Sequence, residues 1–440
     1  MWIVWWLTHL PGTETPRPLA TALLTATLIG GITLVARKAV APFRTAVFGG
    51  LISGGLNLLI LGSILGVQAD SAEAMTTAAN RFRAEAPAIV LGFLLITAVA
   101  GAIAGGLASS FPSIRTDHER PGRWLGRFAI VVVAAFFPLL IIGGAVTGTE
   151  SGMAVPDSVT SFGAFSALLP MSMMAEPRVF LEHTHRLFGT LVGLNAITLV
   201  LFAFATERRT APKIFAAVLL ILVITQGVFG AMRVGAASSG LAAVHGVFAL
   251  LVLAFAVVTA CKLSPLDRAQ PSPIDDRTRS AARRGIRISH FAATTLLIQI
   301  IFGAMGRHFP NGAHAIWAHA GFSIVVVLLV VIAAAVLKSA TPETREGRLL
   351  RKISLLLTLG VFIQFVLGFL TLWQVGIGGA DPIPTAGELA QAREIDIFET
   401  VISTAHQTLG AGLFALIAMA VYWTKRITKS HAKAFAQNPA

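Results

Sequence analysis

Eleven stretches of this chain are apolar for long enough to cross a lipid bilayer, and that property limits what it can fold into. A hydrocarbon core of about 30 Å takes roughly 17–25 apolar residues as an α-helix. Runs of this kind lie near 19–36, 45–68, 88–110, 126–146, 180–205, 212–232, 240–261, 288–305, 313–338, 353–375 and 400–424. A balance of 55% hydrophobic to 12% charged residues over 440 positions, with a mean hydropathy of +0.77, is one no water-soluble domain of this length is expected to show. The expected fold is an all-α integral membrane protein with about 11 transmembrane helices.

The net charge of +13 does not point to nucleic acid, because the basic residues are sorted by loop. One set of alternate loops holds Arg37, Lys38 and Arg44, then Arg115, Arg120, Arg123 and Arg127, then Arg208, Arg209 and Lys213, with further clusters at 262–287, 338–352 and 425–433. The other set has only Arg17, Arg81, Arg83, Arg178, Arg186, Arg233, Arg307 and Arg393. By the positive-inside rule the first set and the C-terminal tail are cytoplasmic, and eleven spans then put the N-terminus outside an inner (plasma) membrane. MWIVWW, at the start, is too short to span and reads as an aromatic interfacial segment. Cys261 is the only cysteine, which excludes an intrachain disulfide, an iron–sulfur cluster and a thiolate metal site.

Four segments repeat: LLIIGGAV (139–146), QGVFGAMRV (226–234), QIIFGAMGR (299–307) and QFVLGFLTL (364–372), each with Leu or Gln four residues before a glycine. Taken singly each is a close-packing helix motif. Their order divides the chain into two parallel four-helix halves, 116–261 and 288–440, the latter including the tail. A polar linker at 262–287 joins them, and residues 1–115 supply three additional helices.

Ionisable groups inside a bilayer are costly and suggest function. Of eleven histidines, His9, His118 and His431 fall in termini or loops, His290 at a cytoplasmic helix end, His308 in an outer loop and His314 at a helix mouth. His185, His245, His319 and His406 differ. Each lies about five or six residues into an inward-running span, so all four reach a similar depth, two per half. Two imidazoles from facing helices can grip haem iron. Zinc also accepts imidazole, although two histidines underfill it, and a hydrogen bond to a neighbouring helix is the alternative for any one of them. His183 lies about 200° from His185 around the helix, whereas Glu182 shares its face.

The halves are not equivalent, because Ile316 stands three residues before His319 where Glu182 precedes His185. An acid beside a ligand can move protons, so the first half is expected to react and the second to relay electrons. A Glu182–Arg186 surface salt bridge is the plainer alternative. Arg186, Arg233 and Arg307 are candidate partners for haem propionates, or ordinary snorkelling arginines.

GGAVTGTESGMAVPDS (143–158), FLEHTHRLFGTLVGL (180–194), QGVFGAMRV, AAVHGVFALL (242–251), IFGAMGRH and TAHQTLGAG (404–412) together resemble the heme A synthase family of CtaA type. The resemblance implies two pseudo-symmetric four-helix bundles and oxidation of the C8 methyl of heme O to the formyl of heme A, through successive hydroxylations, for cytochrome oxidase biogenesis. It further implies Glu182 as the essential acid, His185 and His245 as ligands of the substrate haem, and His319 and His406 as ligands of a heme b cofactor. Heme O synthase and the cytochrome oxidase assembly machinery are the implied partners, with the electron donor and any homo-oligomer left open. Three features depart from the family: Ser158 stands where it usually has Trp, no outer cysteine pair exists, and the three N-terminal spans are additional. A haem-binding electron carrier without C8 chemistry is the main alternative; a secondary transporter fits less well, since transporters commonly pair inverted repeats with broken helices.

Overall fold

A computed structural model describes residues 1–67, 81–111, 121–270, 274–309, 311–339, 341, 343–376, 384–385 and 387–436. Arg115, His118, Arg120, the 115/116 boundary and linker residues 271–273 lie outside the described residues. Helices α1 (Trp2–His9), α2 (Arg17–Ala36), α3 (Pro42–Leu61), α4 (Ala86–Ser110), α5 (Pro121–Gly148), α6 (Pro177–Thr206) and α7 (Thr210–Gly235) are followed by α8 (Ser239–Leu263), the short α9 (Pro265–Arg268), α10 (Asp276–His308), α11 (Ala313–Ser339), α12 (Arg345–Val375) and α13 (Ile397–Ala436). Among the described residues the only β pairing is two isolated bridges. Eleven helices, α2–α8 and α10–α13, are long and apolar enough to cross a membrane, as the apolar runs require. Large apolar side chains such as Leu91, Leu95, Ile96 and Val99 stay exposed on them, which is what lipid contact demands and water would penalise.

The chain divides into two compact units. One comprises Met1–Glu119, Ser151–Phe188 and Pro384–Ala390; the other comprises Arg120–Glu150, Gly189–Ile383 and Gln391–Ala440. In the first, small residues let α3 and α4 approach closely: a Cβ added at Gly50 would lie 2.2 Å from the Thr97 carbonyl oxygen, and one at Gly101 2.6 Å from that of Ala46. The expected aromatic segment is α1, and it docks on protein. Trp2 Nε1 donates to Asn57 Oδ1 of α3 (3.1 Å) and Trp6 Nε1 to Thr184 Oγ1 of α6 (3.1 Å). Trp5 and Trp2 pack on Phe180 and Phe188, so α1 holds the 180/184/188 stripe of α6.

In the second unit α10, α11, α12 and α13 are neighbours in a closed ring around a core that includes Leu296, Val330, Leu357 and Leu413. This fits the expected second four-helix half. Helices α5, α6, α7 and α8 share another core, with Leu125, Leu199, Leu219 and Leu253, to which α13 adds Ala411 and Ala415. Two details differ from the sequence expectation. His308 is the last residue of α10, not part of a loop. Residues 276–287 of the linker are the first turns of α10, started by Asp275, whose side chain accepts from the Thr278 N–H at 2.6 Å; an N-cap of this kind begins a helix wherever it falls. The preceding part of the linker is docked: buried Asp267 accepts from Arg209 (2.8 Å), Arg426 (3.3 Å) and the Tyr422 hydroxyl (2.5 Å), while Glu207 pairs with Arg209 and Arg268.

Candidate functional sites on two helical scaffolds

At the start of α6, Glu182 is buried, with a side chain 3% exposed. Its Oε1 accepts from Arg186 at 2.7 Å, an i to i+4 pair, and its Oε2 from the Val155 backbone N–H at 2.7 Å. The same guanidinium donates to the carbonyls of Asp157 (2.6 Å), Thr160 (2.8 Å) and Val155 (3.0 Å). The loop is shaped to present them: Asp157 Oδ2 accepts from Thr160 Oγ1 at 2.9 Å and from the Gly163 N–H at 2.5 Å, and Gly163 takes a left-handed φ of 79°. Arg186, expected as a propionate partner, is here the pin of the loop that carries Ser158. A carboxylate has about four acceptor positions. Two are filled on Glu182 among the described residues, which leaves acceptor positions open.

His185 is half-buried on the face of α6 that also carries Glu182. His183 is fully buried, and neither of its ring nitrogens finds a hydrogen-bond partner among the described residues.

In the second unit the His319 ring of α11 faces the His406 ring of α13, with centroids 6.0 Å apart and planes at 74°. For metal–imidazole bonds of about 2 Å, and about 1.2 Å from ring nitrogen to ring centre, two imidazoles that share one ion have centroids no more than about 6.4 Å apart. The separation therefore suits one ion held between two rings. Among the described residues no three His, Cys, Asp or Glu side chains cluster as a metal site, so the three or four protein ligands usual for zinc are not gathered there. Ile316 packs against Gly306, whose added Cβ would lie 2.7 Å from Ile316 Cγ1, and gives this pair an apolar flank.

His245, on α8, meets Gln226 of α7: the amide Nε2 lies 3.1 Å from Nδ1 and donates to the His245 carbonyl at 3.0 Å. Arg233 is in the last turn of α7, and Arg307, in that of α10, donates to the Thr147 carbonyl of α5. The structure thus brings Glu182 together with Arg186, and His319 with His406. His185 and His245 belong to different compact units and are described with their own neighbours.

Sequence reasoning saw the Gln-x-x-x-Gly repeats as packing motifs and missed that their glutamines and glycines sit on the histidines. The fourfold recurrence of one spacing was the available signal.

Compared with known families, residues 126–313 match the model of the COX15-CtaA family, described as cytochrome oxidase assembly protein. Glu182, His185 and His245 fall inside the matched segment; His319 and His406 lie beyond it. No curated protein and no solved structure matches the chain.

Proposed function

Because residues 126–313 match the cytochrome oxidase assembly protein family, we propose that this multi-pass membrane protein is an oxidoreductase of heme A synthase type. It takes heme O as substrate and oxidises the C8 methyl to the formyl of heme A, for use in cytochrome oxidase biogenesis. The observation that carries this reading is the facing His319–His406 pair, a bis-imidazole arrangement in the part of the chain that the family match does not reach. His319 and His406 would hold a heme b, and His185 and His245 the substrate haem. A bound heme b supplies one-electron transfer.

Written with water as the oxygen source, the conversion is R–CH3 + H2O → R–CHO + 4 H+ + 4 e−: the four electrons pass to an oxidant outside this chain, and the protons released require an acceptor at the reacting edge. Glu182 is the candidate: it is buried, it is oriented by Arg186 and the Val155 N–H, and it retains open acceptor positions. Arg186 fixes the loop whose Val155 N–H bonds the acid. Arg307 and Arg233, at helix ends, remain candidates for the propionates, since a guanidinium has five donors. The inner-membrane location, the cytoplasmic C-terminus and the domain division at 116, 262 and 288 belong to the same reading, as do heme O synthase and the oxidase assembly machinery as partners.

A second reading is a bis-histidine electron carrier without C8 chemistry. It is favoured by the engagement of both Glu182 oxygens in hydrogen bonds, as a purely structural acid would show. Expression in a host that makes heme O but not heme A, followed by chromatography and mass detection of the extracted haems, separates them. Heme A or its hydroxylated precursor supports the enzyme. Heme B with unmodified heme O alone, in a folded preparation with a competent redox partner, overturns it in favour of the carrier.

A further inference from the structure

The repeated Gln-x-x-x-Gly segments recur as one three-dimensional device. Gln226 and Gly230 on α7 meet His245; Gln299 and Gly303 on α10 meet His319; Gln364 and Gly368 on α12 meet His406. In every case the helix just before the histidine's own supplies the pair. The glycine gives the ring its space: an added Cβ would lie 3.0, 2.9 and 2.8 Å from Cε1 of His245, His319 and His406. The two contacts under 3 Å, at His319 and His406, require something to move, the one at His245 is merely tight, and in each the atom in the way belongs to the imidazole itself.

The glutamine supplies direction. Gln299 Nε2 donates to the His319 carbonyl at 2.7 Å, while His319 Nδ1 lies 2.8 Å from the Gln299 carbonyl oxygen. A backbone carbonyl can only accept, so Nδ1 carries the proton and Nε2 is left as the unprotonated nitrogen. A metal needs that tautomer. Gln226 repeats the bond to the histidine carbonyl, and the amides of Gln226 and Gln364 each lie 3.1 Å from Nδ1 and 3.3 Å from Nε2 of the ring they face. In all three glutamines Oε1 is buried with no hydrogen-bond partner among the described residues. Three buried orphan acceptors at equivalent positions are costly. Gln226 and Gln299 hold their amide nitrogens on the histidine carbonyls, whereas the Gln364 amide bonds only the ring among the described residues, and since the two ends of an amide exchange by a simple flip its oxygen can receive the Nδ1–H of His406. The fourth copy of the motif has Leu139 in the glutamine position.

We infer that Gln226, Gln299 and Gln364, with Gly230, Gly303 and Gly368, are positioning residues that set the orientation of the His245, His319 and His406 rings, and that the Gln299 backbone carbonyl and the Gln364 amide oxygen keep the proton of His319 and of His406 on Nδ1, leaving Nε2 of these two for iron. This rests on the haem reading above. An imidazole whose N–H is firmly accepted is a more electron-rich ligand, which stabilises the oxidised iron, so the Gln299 carbonyl and the Gln364 amide also lower the midpoint potential of the haem held by His319 and His406.

The test uses the full-length protein purified from membranes, wild type and with Gln299→Met, Gln364→Met and Gln364→Glu. Haem content, low-temperature EPR of the oxidised protein and a redox titration are read for each. Expected are retained haem and a shifted low-spin EPR signal confined to one haem in both methionine variants, a raised midpoint potential in Gln364→Met but not in Gln299→Met, which keeps the backbone carbonyl that receives His319 Nδ1–H, and a potential returned toward wild type in Gln364→Glu, which keeps an acceptor. Gly368→Ala is expected to convert the same haem from low to high spin by displacing His406. A wild-type protein that binds no haem overturns the functional reading and this inference with it. A wild type with low-spin haem whose spectrum and potential are indifferent to all of these substitutions overturns the inference alone.

Discussion

The Glu182 region and the His319–His406 region are built on the same kind of helix yet held by different forces. Around Glu182, one guanidinium collects a carboxylate and three backbone carbonyls, and the acid also takes a backbone N–H. Around the histidine pair, neutral amides, a backbone carbonyl and two glycines set the rings, and the flank is aliphatic. Charge inside a membrane protein is tolerated where it is paired and has a task. A region with buried charge and a pinned loop suits proton movement; one with neutral, fixed imidazoles suits an electron relay whose ligands should not move. The difference restates, in geometry, the asymmetry between Glu182 and Ile316.

The largest expected effect breaks the neutral region. His406→Ala should remove one of two haems altogether, halving the haem per protein and erasing one low-spin signal while the other persists. Loss of both haems in proportion would show that the two regions are not separate sites. Next comes the acid. Glu182→Gln keeps the shape and the i+4 neighbour but removes the base, and turnover of heme O should fall about 10²–10⁴-fold with both haems still bound. Undiminished turnover would make Glu182 a structural acid and remove the functional half of the comparison.

Arg186 sharpens the contrast further. Arg186→Ala leaves a buried carboxylate with one backbone N–H and frees three carbonyls of the loop, and breaking a buried pair from one side costs about 3–5 kcal/mol. Thermal unfolding in detergent should drop accordingly, and protease should cut between Val155 and Thr160. Lysine at 186 should recover only part of this, since an ammonium cannot span carboxylate and carbonyls as a planar fork does. Equal stability of the three proteins would mean the loop is held by something else.

Much of this was legible in the residues. About twenty consecutive apolar side chains admit few solutions, so all eleven crossing helices fall where the runs do. The equal depth of His319 and His406 foretold that they would meet, because each lies six to nine residues into one of two helices that run in the same direction on either side of α12, which puts both rings at one level. Helix ends were less legible: α10 starts at Asp276, well before its apolar run, because the Asp275 cap and not the hydrocarbon boundary begins it. The second role of Arg186 was hidden, since Val155, Asp157 and Thr160 contribute carbonyls, which every residue has and no sequence marks. The glutamines were visible as a pattern and mute as to purpose. Only the pairing of helices shows that each one faces a histidine.

The smallest expected effect asks whether charge holds the second unit as it holds the Glu182 region. At the C-terminal end of α6, outside the apolar spans, Glu207 is buried, which by itself raises its carboxyl pKa. Hydrogen bonds from Arg209 and the charges of Arg209 and Arg268 outweigh that and hold it below the ordinary value of 4.5. A carboxyl depressed in the folded state contributes stability that is fully present above the unfolded value and is lost as pH falls through the folded one. Stability should therefore be flat from neutrality to about pH 5 and decline below it, and Glu207→Gln should flatten part of that decline while lowering stability at pH 7. The low-spin spectrum of the histidine pair should be the same in both proteins at pH 7, because the network at Glu207 and Asp267 and the rings at His319 and His406 share a compact unit but no hydrogen bond among the described residues. A variant that keeps the full acid slope would place the titrating group elsewhere. One that alters the spectrum would join the charged network to the neutral site, and the contrast between them would have to be redrawn as a single coupled structure.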